Sequence, residues 1–211
     1  MNVYVGGSND PVLGPAQIFV ALFVTLGPIN FMKTFATLTR DAGPALQRQI
    51  AIRAAAIATI SVLVSAVVGS FLLDKWHVSV SAVALSGAAV LFLVGMRSIL
   101  ELYAAPAPVE RAAPSLDLAL SPLAFPSLAT PYGIAVLVVL LTLAPEHTVG
   151  ILGLALLVMA IDLLMMLFIR PIMRGLGVPL SLLGVVLSLM QVALSIQFAF
   201  FAIRTLMARG V

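Results

Sequence analysis

The hydrophobic positions of this chain form six long runs that are separated by short polar stretches. The runs cover residues 12–39, 50–73, 78–103, 118–143, 148–169 and 178–203. Each is long enough for a helix that crosses the bilayer, which needs about 20 mostly apolar residues. Because backbone polar groups cannot stay unpaired in lipid, the pattern predicts six transmembrane helices and an all-α membrane protein.

Composition supports lipid as the solvent of this chain. Hydrophobic residues make up 62% of the 211 residues and charged residues only 9%, whereas soluble domains carry about 25% charge. A net charge of +3 could suggest nucleic acid as a partner. The basic residues lie at the ends of the apolar runs, however, so we expect a membrane and no nucleic acid.

The distribution of Lys and Arg predicts the orientation in the membrane. Seven arginines lie in or beside the loops that follow the first, third and fifth runs, and three basic residues lie on the opposite side. Cytoplasmic loops carry the excess of basic residues. This places the first set in the cytoplasm and both termini outside it. The first set is Arg40, Arg48, Arg53, Arg97, Arg111, Arg170 and Arg174, and the second is Lys75, Arg204 and Arg209.

The longest polar stretch, residues 104–117, reads AAPAPVERAAPSLD and is typical of a linker. It divides the chain into two predicted repeats, residues 1–105 and 106–211, within one membrane domain. Each repeat has three helices, which is an odd number of crossings. The two repeats must therefore have opposite orientations, and we predict an inverted repeat.

Each predicted half has a break inside its first helix, at Gly27-Pro28 and at Thr130-Pro131. Proline removes a helix hydrogen bond but is well tolerated as the first residue of a new helix. Thr130-Pro131 is therefore predicted to be an N-cap followed by the first helical residue. Aligning Pro28 with Pro131 also aligns Leu38-Thr39 with Leu141-Thr142. At about 1.5 Å per residue, both prolines lie about 20 Å into a core about 30 Å thick.

Two new helix N-termini near the bilayer centre suit a carboxylate or another small anion. Secondary transporters built on inverted repeats bind substrates at such breaks. The alternative is a pair of ordinary proline kinks that neighbouring helices repair. The matching positions favour a substrate site, with Thr25, Asn30, Thr130 and Tyr132 as hydrogen-bonding residues and Gly27, Pro28, Pro131 and Gly133 forming the breaks.

Two charges lie deep inside predicted helices. Lys33 precedes Arg40 by seven residues and Asp162 precedes Arg170 by eight, so both lie about 10–12 Å from the cytoplasmic boundary. We predict a Lys33–Asp162 ion pair, with Arg97 as a competing partner. Three interpretations stay open. In the first, the Lys33 side chain extends to the cytoplasmic interface and Asp162 is protonated. In the second, an ion pair between Lys33 and Asp162 holds the two halves of the protein together. In the third, Asp162 takes up and releases the proton that drives transport.

Several motifs resemble the MarC family of inner-membrane proteins. The segment GPINFMKTFATLT followed by RQIAIRAAAIA resembles the family's first half, and PLAFPSLATPYGIAVLVVL resembles its second signature. The residues that fit are Phe35, Leu38, Thr39, Ile50, Ala51, Arg53 and Ala54 in the first half, and Pro122, Leu123, Ala124, Pro126 and Pro131 in the second. The resemblance extends over nearly the whole chain in helix count, spacing and order.

This resemblance implies a LysE-like transporter fold in the bacterial inner membrane, and some members of the family are described as neutral amino-acid transporters. The chain departs from the family pattern at Gly27, Asn30 and Lys33, and at Thr130 and Tyr132 in the second signature. A polar residue common near the end of the sixth helix is also lost, around Phe200. The family resemblance therefore implies the fold of this chain more strongly than its substrate.

No nucleotide loop, nucleophile motif or catalytic dyad is present, so we expect neither an enzyme nor a cofactor. His77 and His147 form a poor metal site. Gln191 and Gln197 lie on different faces of the last run, and Gly69, Gly87, Gly95 and Gly184 read as helix contact points.

Two functions remain: a secondary transporter or exporter of a small polar solute, and a non-transporting subunit of a larger membrane complex. Homo-oligomers fit either.

Overall fold

A computed structural model describes the backbone of residues 3–4, 11–100 and 115–208. Side chains are described for residues 14–28, 31–32, 34–73, 75–100, 115–142, 144–173 and 182–207. Most of the predicted linker at 104–117 lies outside these ranges. The side chains of Asn30 and Lys33 also lie outside them.

The described chain is helical apart from a short antiparallel ribbon of Val3–Tyr4 (β1) with Pro11–Leu13 (β2). The first predicted run forms α1 (Pro15–Leu26) and α2 (Ile29–Leu38). Then come α3 (Pro44–Lys75), α4 (Val80–Leu100), a 3₁₀ turn (Leu116–Ala119) and an irregular helical segment (Leu120–Leu128), in which Ser121 and Phe125 are extended. The last elements are α5 (Pro131–Leu143), a 3₁₀ turn (Pro145–His147), α6 (Thr148–Leu167) and α7 (Ile169–Ala208).

The membrane character and the all-α class are confirmed by these elements. Four of the described helices are long and apolar enough to cross a membrane. A fifth span results if Leu116–Leu128 and Pro131–Thr142, which meet at an angle of 53°, count as one broken crossing. The first predicted span is present as two shorter helices, so six crossings in an inverted repeat stay a prediction.

Two predicted boundaries are wrong. Helix α3 begins at Pro44, six residues before the predicted run, because a proline fits the first helical position and polar residues of the first turn can lie at the membrane surface. The polar stretch 170–177 is not a loop, since the backbone is helical from Ile169 onward. Short polar sequences at the ends of apolar runs therefore continue the helices here.

The two interrupted helices lie at the centre of the described fold. Half of α1 is buried, and the α5 residues from Val136 to Leu141 are buried on every side. The long helices around them bury only 17–33% of their most apolar windows, and side chains such as Phe71 and Leu93 are largely exposed. Irregular backbone at membrane depth is tolerated only where protein covers it, which explains why the broken helices lie inside.

Small residues allow the outer helices to pack closely. A Cβ atom built on Gly95 of α4 would lie 3.0 Å from Val192 Cγ2 and 3.2 Å from the Ser188 carbonyl oxygen of α7. One on Gly69 would lie 2.9 Å from Val138 Cγ2, and one on Gly87 would lie 3.2 Å from Ala135 Cβ. The prediction that these glycines are helix contact points is confirmed.

Candidate functional site

The first break leaves helix geometry at a single glycine. Gly27 is extended, with φ −78° and ψ 174°, and its N–H donates to the Phe23 carbonyl at 2.9 Å. A Cβ atom at Gly27 would collide with that same carbonyl oxygen. A glycine is therefore required here by close backbone approach, and Pro28 then begins the turn into α2.

Pro28 has a second effect, because it has no N–H to donate to the carbonyl four residues earlier. That carbonyl belongs to Val24, on the buried face of α1. It accepts instead from the side-chain amide of Gln191 in α7, with Nε2 at 3.0 Å. Gln191 is completely buried. A side chain from the last helix thus replaces the donor that the proline removes from the first.

The second break has the geometry of a capped helix start. Thr130 is extended, with φ −74° and ψ 136°, and its hydroxyl oxygen accepts from the Gly133 N–H at 3.1 Å. Pro131 takes the first helical position of α5. The predicted N-cap at Thr130 is therefore confirmed.

The same hydroxyl group joins the two breaks. Thr130 Oγ1 donates to the backbone carbonyl of Thr25 at 2.8 Å, and both residues are buried. The Thr25 carbonyl is one of those left free when α1 ends at Leu26. The two breaks thus lie against each other, and the C-terminal carbonyls of α1 meet the N-terminal cap of α5.

Close packing surrounds this junction. A Cβ atom at Gly133 would collide with Leu26 Cδ2 and lie 2.5 Å from Thr130 Oγ1, so glycine lets α5 approach α1. Tyr132 is 6% exposed, and its side chain lies close to those of Thr130 and Gln191. The predicted residues Thr130, Tyr132 and Gly133 therefore belong to one cluster, together with Gln191. We call these four residues, with the carbonyls of Val24 and Thr25, the central junction.

Two other predicted residues are placed differently. The Thr25 hydroxyl donates to the Ala21 carbonyl of its own helix at 2.8 Å, so in this conformation it offers no hydrogen atom to a solute. The side chain of Asn30 lies outside the described residues. Only the backbone carbonyl of Thr25 takes part in the central junction.

A cavity of about 250 Å³ reaches the second break from the side of α4. Its lining includes Pro131 and Tyr132 and is otherwise mostly apolar, with Ser86 as the polar exception from α4. The lining includes neither Gly27 nor Pro28, and Leu26, Phe31 and Met32 beside the first break are fully buried. The centre is therefore closed at the first break in this conformation.

Asp162 lies on the buried face of α6, which packs against α1 and α3. It has no solvent exposure, and neither carboxyl oxygen has a hydrogen-bond partner among the described residues, which include the competing candidate Arg97. The side chain of Lys33 lies outside the described residues, so the predicted Lys33–Asp162 pair stays a prediction. Burying a carboxylate without a partner is costly, and such groups in membrane helices mark functional sites.

A family model described as MarC family integral membrane protein matches residues 15–207. The chain belongs to the MarC family. The match confirms the resemblance seen in the two signatures and includes both breaks, Asp162 and Gln191. Neither curated proteins nor solved structures give a significant match to this MarC-family chain.

The sequence predicted three of the four residues of the central junction, Thr130, Tyr132 and Gly133, and missed Gln191. An isolated amide in an apolar helix, on a different face from Gln197, was the available signal. The prediction that the two amides lie on different faces is confirmed, since Gln191 is buried and Gln197 is exposed. Its partner could not be found, because a hydrogen bond to a backbone carbonyl leaves no mark on the sequence of the acceptor.

Proposed function

We propose that this MarC-family protein is a secondary transporter or exporter of a small polar solute that works by alternating access. It binds and translocates the solute without converting it chemically. The observation that carries the proposal is the hydrogen bond from Thr130 to the Thr25 carbonyl. It joins two helix breaks that lie at corresponding places in the two predicted halves, and such breaks form substrate sites in inverted-repeat transporters.

The chemistry of the central junction favours a zwitterion, and a neutral amino acid is our candidate. The ends of broken helices offer opposite partial charges, with carbonyls at a C-terminus and N–H groups at an N-terminus. The carbonyls of Val24 and Thr25 suit an ammonium group, and the N-terminus of α5 suits a carboxylate. Tyr132 and Gln191 add a hydroxyl and an amide for neutral polar groups.

In the closed conformation these groups bond to one another. Thr130 donates to Thr25, and Gln191 donates to Val24. A solute that enters between α1 and α5 exchanges these two bonds for bonds to itself. Breaking these two hydrogen bonds costs free energy, and bonds to a bound solute offset that cost. Opening of the central junction is therefore coupled to solute binding.

Asp162 is our candidate for proton coupling. Its carboxyl group is buried without a described hydrogen-bond partner, and only the protonated form carries no charge into that environment. We propose that it loses its proton when the centre opens to water. The protein would have six crossings in two inverted triplets, with both termini outside the cytoplasm of a bacterial cell.

The second candidate function is a non-transporting subunit packed within a larger membrane complex. The filled first break favours it, because Leu26 lies against Gly133 where a transporter site would need space. Departures from the family pattern at Gly27, Asn30 and Lys33 also favour it. An occluded transporter would have the same filled centre, so flux must decide.

The test is solute flux in proteoliposomes that contain the purified protein, with a panel of radiolabelled neutral amino acids and with or without a pH gradient. We expect uptake of at least one member of the panel and its loss in Thr130→Val. The matched control is Thr142→Val in the same helix, where the hydroxyl only bonds the Val138 carbonyl at 2.8 Å. Absence of flux for the whole panel, together with co-purification of a stoichiometric membrane partner, would establish the second candidate instead.

A further inference from the structure

At one end of the described fold, two cavities lie side by side between the start of α3 and the junction of α6 with α7. Their volumes are about 680 Å³ and about 410 Å³. They share Gln47 and Arg170 in their linings, and Arg40 lines the first and Arg48 the second. We call these four residues the basic cleft. It is separate from the central junction and lies on the face that the arginine distribution predicts to be cytoplasmic.

The charged residues that line the basic cleft are all positive. Three guanidinium groups line the two cavities, and no aspartate or glutamate does. Within the described part of the chain, none of the three arginines forms an ion pair. Like charges that are gathered beside a cavity repel one another unless an anion lies between them.

Gln47 gives an independent indication of a ligand. It is only 8% exposed and lines both cavities, yet its side-chain amide has no hydrogen bond to any described residue. The side chain is thus enclosed by protein while its amide stays accessible from the cavities, where it can bond to a ligand. The first turn of α3, which begins at Pro44, adds the partial positive charge of a helix N-terminus.

Arg170 is fixed at the wall between the two cavities. Its Nη2 donates to the Ala42 carbonyl at 2.6 Å, which ties the start of α7 to the loop before α3. A guanidinium group has five N–H donors, so the remaining donors can bind a phosphate oxygen pair. This anchoring lowers the entropy lost when an anion binds.

We propose that the basic cleft binds a phosphate group, and that this phosphate belongs to the headgroup of an anionic membrane lipid. The apolar lining of the smaller cavity argues for a lipid over free phosphate. Leu167 and Phe168 lie in that lining and are 37% and 58% exposed, so they offer an acyl chain a surface next to Arg48 and Arg170. Basic pockets between membrane helices on the cytoplasmic side recognise such headgroups.

The site has a structural consequence that is independent of transport. The cleft contacts α2, α3, α6 and α7, so a bound headgroup would hold together the elements on one side of both breaks. The inference does not depend on the proposed transport function, and it holds for an accessory subunit as well.

The experiment measures lipid binding to the purified full-length protein in detergent by native mass spectrometry. The probes are phosphatidylglycerol, phosphatidylcholine with the same acyl chains, and inorganic phosphate. We expect tighter binding of phosphatidylglycerol, and a loss of affinity of about fivefold per arginine in Arg40→Gln/Arg48→Gln. These two side chains are exposed and make no described bond, so the variant should fold, and its thermal unfolding without lipid verifies this.

The control is Arg53→Gln/Arg204→Gln, which has the same net charge and changes two exposed arginines outside both cavities. An equal loss of lipid affinity in this control would overturn the proposal, because net charge alone would explain binding. Equal affinity of the wild-type protein for the two phospholipids would also overturn it. If inorganic phosphate competes as well as phosphatidylglycerol binds, the lipid assignment is wrong and a soluble phosphate compound is the ligand.

Discussion

Gln191 donates a hydrogen bond to the carbonyl of Val24 at 3.0 Å, although 167 residues separate the two in sequence. Pro28 lies four residues after Val24, at the position that supplies an N–H to this carbonyl in a continuous helix. One residue of the last helix therefore compensates a proline in the first. The hydrogen bond between Gln191 and Val24 therefore stabilises the first break inside the protein.

We expect Gln191→Leu to lower the free energy of unfolding by about 1–2 kcal/mol, since it removes a buried hydrogen bond to the Val24 carbonyl. In the background of Pro28→Ala the same change should cost about 1 kcal/mol less. Without the proline ring, Gly27 can adopt helical dihedral angles, and the alanine N–H then reaches the carbonyl. Equilibrium unfolding in mixed micelles measures the four states of this double-mutant cycle. The control is Gln197→Leu, an exposed position in the same helix, where the expected change is small. Equal costs in both backgrounds would contradict the compensation.

The stability of the fold should fall when Thr130 loses its hydroxyl group and should change little when it loses only its methyl group. Thr130→Val removes the bond to Thr25 and the cap on Gly133, and we expect a destabilisation of about 2 kcal/mol. Thr130→Ser keeps both bonds and should stay within about 0.5 kcal/mol of the wild type. Thermal unfolding of the purified variants measures the difference. Similar midpoints for the serine and valine variants would argue against the role of the hydroxyl.

Gly133 should not accept even one extra methyl group. Its Cβ would meet the Leu26 side chain and Thr130 Oγ1, so Gly133→Ala should destabilise the fold by about 1–3 kcal/mol. In Gly153→Ala nothing lies within 4 Å of the added atom, and the higher helix propensity of alanine should stabilise by up to about 1 kcal/mol. The cost of Gly133→Ala should also shrink in a Leu26→Ala background. A cost that does not depend on residue 26 would point to another cause.

Asp162→Asn should keep the fold and remove proton coupling. The amide has nearly the same shape and carries no charge, so thermal stability should be unchanged or higher. We expect flux in proteoliposomes to continue but to lose its dependence on the pH gradient. The matched control is Asp117→Asn, at an exposed carboxylate in the 3₁₀ turn Leu116–Ala119. Retained gradient dependence in Asp162→Asn would exclude the coupling role of this residue.

The sequence predicted the elements better than their mutual contacts. Long apolar runs predicted the helices, because a bilayer sets a minimum length, and Pro28 and Pro131 marked the two breaks. Thr130 was identified as a cap because a cap is local. The start of α3 at Pro44 and the helical residues after Ile169 were missed, since polar surface turns look like loops in sequence. The bond between Thr130 and Thr25 could not be predicted, because it depends on how α5 approaches α1 in three dimensions.

The order of the hydrogen-bond donors along the chain has a consequence for biogenesis. The Val24 and Thr25 carbonyls at the end of α1 depend on Gln191 and Thr130, which the ribosome adds 167 and 105 residues later. Before Thr130 is added, the Thr25 carbonyl lacks the hydroxyl group that donates to it, so this stretch of nascent chain should remain near water or a chaperone. The first break is thus among the first parts to be translated and among the last to reach its final environment. A chain that is truncated before Thr130 should accordingly be recognised and degraded by membrane proteases.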